Sequence, residues 1–169
     1  MPRVTFAELP DHGRLWVFPA SRDLTVSEAE TFMGAVDTFL DRWAAHGVPL
    51  RSGRELRDDR FLVVGVDVDA EAPSGCSIDA LVNQLRELGK ELGVTVVDHA
   101  SVWYRGEADI ESVSRPQFKS LAQAGQVDAA TNVFDTSLTR IDELRSGRLE
   151  RPAADSWHGR AFFEDSVEA

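Results

Sequence analysis

Cysteine is almost absent from this chain of 169 residues, whose single cysteine is Cys76. No internal disulfide can form, and C-x-x-C redox chemistry is excluded because it needs a second thiol. Long apolar runs are absent too, since the longest, at 61–66, is far shorter than the roughly 20 residues that a transmembrane helix needs. The chain also opens without the basic and apolar segments of a secretion signal. We therefore expect a soluble, cytoplasmic protein that does not span a membrane.

Positively charged residues are outnumbered, with 18 Lys and Arg against 29 Asp and Glu. The net charge is -11 and the pI is about 4.7, and only Lys90 and Lys119 accompany the 16 arginines. An acidic surface repels phosphate backbones and anionic lipid, so we expect no nucleic-acid partner and no membrane surface. The acidic residues are dispersed along the chain, which fits either a high-salt cytoplasm or a basic partner.

At 43% hydrophobic residues, the sequence contains enough apolar material for a core. In residues 1–100, hydrophobic spacing and helix caps predict four strands and two helices. These are a strand at 14–18, a helix from the Thr25–Glu28 capping box to Gly47, a hairpin turning at Asp58 and Asp59, a helix from Ser77 to Gly93, and a strand at 94–97. The order βαββαβ is that of a ferredoxin-like sandwich, in which two helices cover one face of an antiparallel sheet. We predict an α+β fold.

Residues 101–150 predict a second, smaller module with the order ββαβα. Its elements are strands at 101–105 and 109–113, a helix capped by Ser114 with Gln117, a strand at 131–134, and a last helix through Leu138, Ile141 and Leu144. Residues 151–169 carry Trp157, Phe162 and Phe163, so we expect this C-terminal segment to dock on the body.

The lone cysteine lies where a loop turns into the second long helix, in the run Ser74-Gly75-Cys76-Ser77. Backbone N–H groups at a helix start are unpaired, so this turn can bind a small anion or lower the pKa of the thiol. A structural interpretation is also open. In it Ser77 caps the helix, Gly75 permits the turn, and Cys76 packs as a small apolar group.

A cysteine enzyme would use Cys76 as the nucleophile, in acyl or similar group transfer, with His46 or His158 as the base. A phosphatase loop of the C-x5-R type is excluded, since the arginine position holds Val82. The four histidines and Cys76 show no spacing typical of metal ligands, so we predict no metal and no cofactor.

Two arginines are further candidates for binding a ligand. Arg22 follows the first strand and can receive a carboxylate or phosphate, although pairing with Asp23 or Glu28 explains it equally well. Arg160 lies in the run SWHGR with His158, which the tail can deliver to the Cys76 turn. The alternative is that the tail only closes the core, and exposed aromatics there would instead serve a homo-oligomer interface.

From Val113 to Phe134 the run VSRPQFKSLAQAGQVDAATNVF resembles the bacterial GYF-like domain, a small module regarded as a binder of protein segments. Trp103 and Tyr104 match its leading aromatic strand, which implies that they contact the bound segment. The family's Gly-Pro before the helix is here Glu111-Ser112, and its Trp after the last strand is missing from 135–150.

The whole chain also resembles an uncharacterised bacterial family, through SRDLT at 21–25, AHG at 45–47, SGCSID at 74–79 and SWHGR at 156–160. Members are sometimes labelled ABC transporter ATPases. This chain has no G-x-x-x-x-G-K-[ST] loop to cradle phosphates and no LSGGQ signature, so that activity is excluded.

These observations predict a non-catalytic binding or adaptor protein that recognises a protein segment or a small anion. The alternative is the cysteine-dependent enzyme with Cys76 as nucleophile.

Overall fold

The computed structural model describes residues 3–164, which form helices and antiparallel sheets and confirm the α+β class. In chain order the elements are β1 Arg14–Pro19, α1 Val26–Leu40, β2 Ala44–Ala45, β3 Val48–Pro49, β4 Ser52–Arg57, β5 Phe61–Val66, α2 Gly75–Leu92, β6 Ser101–Arg105, β7 Ile110–Ser114, α3 Arg115–Gln123, β8 Asn132–Phe134, α4 Ile141–Arg145 and β9 Glu150–Pro152. Short 3-10 turns lie at Phe6–Glu8 and Ala153–Asp155, and a π-helical turn lies at Gly159–Phe163.

The chain divides into two compact units. Unit 1 contains the described residues up to Asp98 and also Ser137–Arg145, whereas unit 2 contains His99–Thr136 and the described residues from Ser146 onward. Helix α4, which the sequence places in the second module, therefore packs with unit 1.

Unit 1 is built on the antiparallel sheet β1-β5-β4. The predicted hairpin turn is confirmed, because Asp58 and Asp59 adopt left-handed φ angles of 55° and 53° and Arg60 N donates to Arg57 O at 3.0 Å across them. The loop has three residues, since Arg57 pairs with Phe61. All six residues of β5 are buried, which fits its central position. One face of the sheet packs against α1 and α2.

The other face of this sheet is approached by α4 at Gly65. A Cβ at Gly65 would lie 2.9 Å from Ile141 Cδ1 and 3.0 Å from Phe6 Cε2, so only glycine leaves room for these side chains. The backbone of this segment also bonds to the start of the sheet, since Ile141 N donates to Gly13 O at 3.0 Å. Helix α4 is thus part of the core of unit 1.

The predicted end of the first helix at Gly47 is wrong. Helix α1 ends at Leu40, and His46 and Gly47 form the two-residue turn between β2 and β3 with φ angles of 51° and 77°. Two consecutive left-handed residues cannot continue a right-handed helix. The buried indole of Trp43 fixes this exit, because Nε1 donates to Ser77 O at 2.8 Å.

The predicted strand at 94–97 is also wrong, since these residues have no strand structure. Gly93 ends α2 in the left-handed conformation, and Val94 N donates back to Gly89 O at 2.9 Å. Thr95 then bonds to the loop after β1, through the backbone and hydroxyl of Ser21. These bonds hold the segment beside the loop without a strand ladder.

Unit 2 is built on the antiparallel sheet β7-β6-β8-β9. Helix α3 begins at the predicted Ser114–Gln117 capping box, which is confirmed, and buries Phe118 against Val102 and Val133. Strand β9, a three-residue edge strand, is not predicted from the sequence. Among residues 3–164, no helix is both long and apolar enough to cross a membrane.

Candidate functional site

The candidate site is an open groove of about 870 Å³ in unit 2, formed largely by the C-terminal segment. Its apolar lining comes from three alanines, an indole and a phenyl ring, namely Ala129, Ala154, Ala161, Trp157 and Phe163. Its polar lining contains groups of both charges, namely Arg151, Arg160, Asp155 and Glu164, together with Ser156. Of the residues predicted to bind a ligand, Arg160 lies at this groove and is exposed.

Local hydrogen bonds shape the wall of the groove. The Ser156 hydroxyl donates to Ala153 O at 3.2 Å, accepts from the backbone N–H of His158 at 3.2 Å, and bonds to His158 Nδ1 at 2.8 Å. These contacts are those of a serine that organises a turn. Since the hydroxyl is shared among three groups, the pair Ser156 and His158 is arranged for structure rather than for nucleophilic attack.

Gly159 allows the segment to pass close over the preceding turn. A Cβ at this position would lie 2.8 Å from Ala153 O and 3.0 Å from Ala154 Cα, both backbone atoms. The π-helical turn begins at this glycine. The geometry of the wall therefore depends on the absence of a side chain here.

His158 is buried beneath the groove, with 1% of its surface exposed. Its ring stacks on Trp157 with centroids 3.9 Å apart and meets the edge of Phe118 at 6.5 Å. Burial is the main cause that lowers the pKa of His158 to about 4. The Asp135 carboxylate raises this pKa, whereas Arg115 and Arg151 lower it further. The ring is neutral at pH 7 and is poorly suited to act as a general base there.

Two arginines hold aromatic and acidic partners around this histidine. The Arg115 guanidinium lies over the Trp157 ring, 5.1 Å from its centroid. Arg151 Nη2 donates to the buried Asp135 carboxylate at 3.3 Å. Arg115 of α3 thus supports Trp157, whereas Arg151 of β9 pairs with the carboxylate that follows β8.

The aromatic strand predicted to contact a ligand lies away from the groove. Trp103 is buried, and its Nε1 has no hydrogen-bond partner within residues 3–164. Tyr104 is half-buried and packs on Phe118 at 5.5 Å, and burial, with a smaller contribution from Glu111, raises its pKa. Neither ring lines the groove.

The Cys76 turn belongs to unit 1, and its predicted cap is wrong. Ser74, not Ser77, is the N-cap of α2, because the Ser74 hydroxyl accepts from Ser77 N–H at 3.1 Å. The Ser77 hydroxyl accepts from Ser74 N–H at 2.8 Å and so completes a capping box with Gly75 in its first turn. Cys76 does not pack as an apolar group, since this position points outward and the residue is exposed.

The histidines proposed as bases for Cys76 occupy different places. His46 lies exposed on the β2–β3 turn of unit 1, and His158 is buried in unit 2. Across the described part of the chain, Cys76 Sγ makes no hydrogen bond to an imidazole. No cluster of three or more His, Cys, Asp or Glu side chains suited to a metal occurs there either.

Arg22 is engaged in holding two helices. Both terminal nitrogens donate to the Glu28 carboxylate at 2.8 Å, and Nη2 also donates to Leu92 O at 3.0 Å. The Arg22 guanidinium is the main reason that the pKa of Glu28 falls to about 2. These bonds tie the start of α1 to the end of α2, as the ion-pair alternative predicts.

No family model matches the chain, no curated protein matches it, and no solved structure matches it. The function is therefore inferred from the residues of the chain itself. The groove could be anticipated only in part, from the aromatic run SWHGRAFF after Pro152. Nothing in the sequence pattern connects Ala129 or Arg151 with that run.

Proposed function

We propose that this is a non-catalytic, cytoplasmic binding protein whose unit 2 recognises an extended protein segment. The observation that carries the proposal is the open groove, which combines an indole and small apolar side chains with guanidinium and carboxylate groups. Such a lining suits a polypeptide, whose successive side chains are apolar and charged in turn.

The shape and charge of the groove favour a protein segment over a small anion. Arg151 and Arg160 are accompanied by Asp155 and Glu164, so the groove has no excess of positive groups. Arg151 is also already paired with Asp135. A site for a small anion would enclose it among several convergent donors, whereas this groove is open to solvent.

The resemblance of residues 113–134 to the GYF-like domain supports the same function, because that module is regarded as a binder of protein segments. We propose that unit 2 is a divergent GYF-like module in which the binding surface has moved. Trp103 is buried and Tyr104 is half-buried, and neither lines the groove, whereas Trp157 of the C-terminal segment does.

Unit 1 is proposed to be a ferredoxin-like scaffold without its last strand. The order β1-β5-β4 matches three neighbouring strands of that fold, and α1 and α2 pack together on one face. The missing partner corresponds to residues 94–97, which follow α2.

The binding proposal is tested by selecting peptides from a displayed library on the full-length protein at pH 7. Ala161 is exposed at the groove, and Ala161→Trp should fill it and weaken the selected peptides at least tenfold. Ala80→Trp places the same ring on an exposed position of α2 and should leave the affinity unchanged. Equal loss in both variants, or a selection without any binder, contradicts the proposal; binding of a second copy, seen as a dimer in sedimentation, contradicts it as well.

Exposure of Cys76 at the start of an 18-residue helix is the observation that favours the enzyme alternative. Alkylation of Cys76 as a function of pH separates the two functions. A thiol pKa near 8.5 is that of an ordinary cysteine and supports the binding protein. A strongly depressed value supports the enzyme.

A further inference from the structure

The groove has a buried histidine behind its wall, in a segment whose preceding turn is tied to unit 2 by backbone hydrogen bonds. We call residues 156–164 the latch segment. We propose that protonation of His158 releases the latch segment from α3 and dismantles the groove, so that acid switches off recognition of the protein segment. This regulation rests on the proposed function, although the movement itself can be measured without a partner.

The anchored end of the latch segment is the turn before it. Ala153 N donates to Thr131 O at 2.8 Å, and Ala154 N donates to Ala129 O at 2.9 Å. These bonds attach the turn to the entrance of β8. Beyond Ser156 the segment contacts Phe118 of α3 through aromatic rings, and separation of these rings would leave the hydrogen bonds of the sheet intact.

The side chains that hold the latch segment surround His158. Phe118 of α3 contacts Phe162 with ring centroids 4.9 Å apart, Phe163 at 6.1 Å, and His158 at 6.5 Å. His158 and Phe162 are themselves stacked at 6.4 Å. A ring placed among apolar neighbours is stable when neutral, because a charge there would lose its hydration.

The charged groups around His158 do not compensate for that loss. Asp135 after β8 favours the imidazolium, but its carboxylate already accepts from Arg151 of β9. Arg115 of α3 opposes the imidazolium as Arg151 does. Tyr104 of β6 packs on Phe118 and is neutral throughout the acid range.

The remaining charged groups near the groove belong to the latch segment and the turn before it. Asp155, Arg160 and Glu164 line the groove, whereas His158 lies beneath it. Nδ1 is hydrogen-bonded to the Ser156 hydroxyl, which carries no negative charge. Stacking on Trp157 favours the cation through its π face, but burial is the larger influence and lowers the pKa to about 4.

The sign of the pH dependence follows from these values. The docked ring has a pKa of about 4, and a released ring returns to about 6.5. Docking is therefore at full strength above pH 6.5 and weakens as the pH falls toward 4. One-proton linkage predicts a roughly twentyfold weaker docking equilibrium at pH 5 than at pH 7.

The test uses the unliganded full-length protein labelled with 5-fluorotryptophan, whose four tryptophans give separate ¹⁹F lines. Trp157→Phe assigns the line of Trp157. Between pH 7.5 and 4.5 this line should move to its solvent-exposed position while the Trp103 line, also in unit 2, stays in place. Movement of both lines together is unfolding of unit 2 and overturns the latch.

Variants identify the titrating group. His158→Phe keeps a ring in the cluster but cannot be protonated, so the Trp157 line should become independent of pH. His12→Gln removes an exposed histidine of unit 1 and should leave the response unchanged. A response that persists in His158→Phe overturns the proposal.

A direct measurement covers the case in which His158→Phe does not fold. Labelled with ¹³C at the histidine rings, the unchanged protein reports the protonation of His158 itself. Protonation while the Trp157 line remains in place overturns the latch. The selected peptides are then measured at pH 7 and pH 5: a latch that opens without any binder at pH 7 contradicts the proposed function alone.

Discussion

The Cys76 turn of unit 1 and the groove of unit 2 contain the residues that attract most attention in the sequence, yet their surroundings differ. At the turn, the hydroxyls of Ser74 and Ser77 occupy each other's backbone donors, and the thiol projects into solvent without an imidazole bonded to it in residues 3–164. At the groove, Trp157 lies between other rings and a guanidinium. The comparison shows that the groups around a side chain, rather than its residue type, determine whether it forms part of a binding site.

The two units should also differ most clearly in acid. The pKa of His158 in unit 2 is lowered to about 4, so its contribution to stability is complete above pH 6.5 and is lost as the pH falls to 4. The loss amounts to about 3 kcal/mol when complete. Glu28 in unit 1 has a pKa of about 2, so its contribution is lost only below its ordinary value near 4.5.

Urea unfolding monitored at pH 7, 5.5 and 4.5 measures this difference. His158→Phe should flatten the dependence above pH 4.5, because the remaining groups with lowered pKa values are carboxylates. An equally steep decline in His158→Phe would show that another group destabilises unit 2 in acid.

Substitution of one glycine in each unit compares how tightly the two positions are packed. Gly159→Ala should cost about 1–3 kcal/mol, because the new methyl group meets backbone atoms of Ala153 and Ala154 that cannot move aside cheaply. Gly34→Ala in α1 has open space around the added methyl group and should stabilise by about 0.5–1 kcal/mol. Thermal unfolding of both variants measures whether each substitution stabilises or destabilises the protein. A stabilising Gly159→Ala would contradict the close approach of Gly159 to the backbone of Ala153 and Ala154.

The smallest effects are expected at the Cys76 turn. Ser74→Ala should cost about 1 kcal/mol, since α2 loses its N-cap. Cys76→Ala should change the free energy of unfolding by less than about 0.5 kcal/mol, because the thiol is exposed. Chemical denaturation of the two variants measures this contrast, which fails if Cys76→Ala is the more damaging change.

The sequence predicts an element well where the signal is local. The left-handed pair Asp58 and Asp59 lies just before the apolar strand β5. The Ser114–Gln117 capping box lies directly before an apolar helix face. Each signal is complete within a few residues. Such elements therefore appear at the expected positions.

Predictions fail where residues distant in the sequence decide the outcome. Trp43 continues the helical spacing of α1, but its hydrogen bond to Ser77 takes it out of the helix. Ser74 and Ser77 are both good caps, and only the structure distinguishes them. The groove joins Ala129 and Arg151 to the tail, and no period in the sequence carries that information.

Helix α4 has a consequence for the order of events during synthesis. The side chain of Ile141 fits over Gly65, although about 75 residues of chain, about half of them belonging to unit 2, separate the two positions. The ribosome must synthesise the chain through Arg145 before all the elements of unit 1 are present. A nascent chain arrested at Asp98 should accordingly resist proteolysis less than one arrested well beyond Arg145.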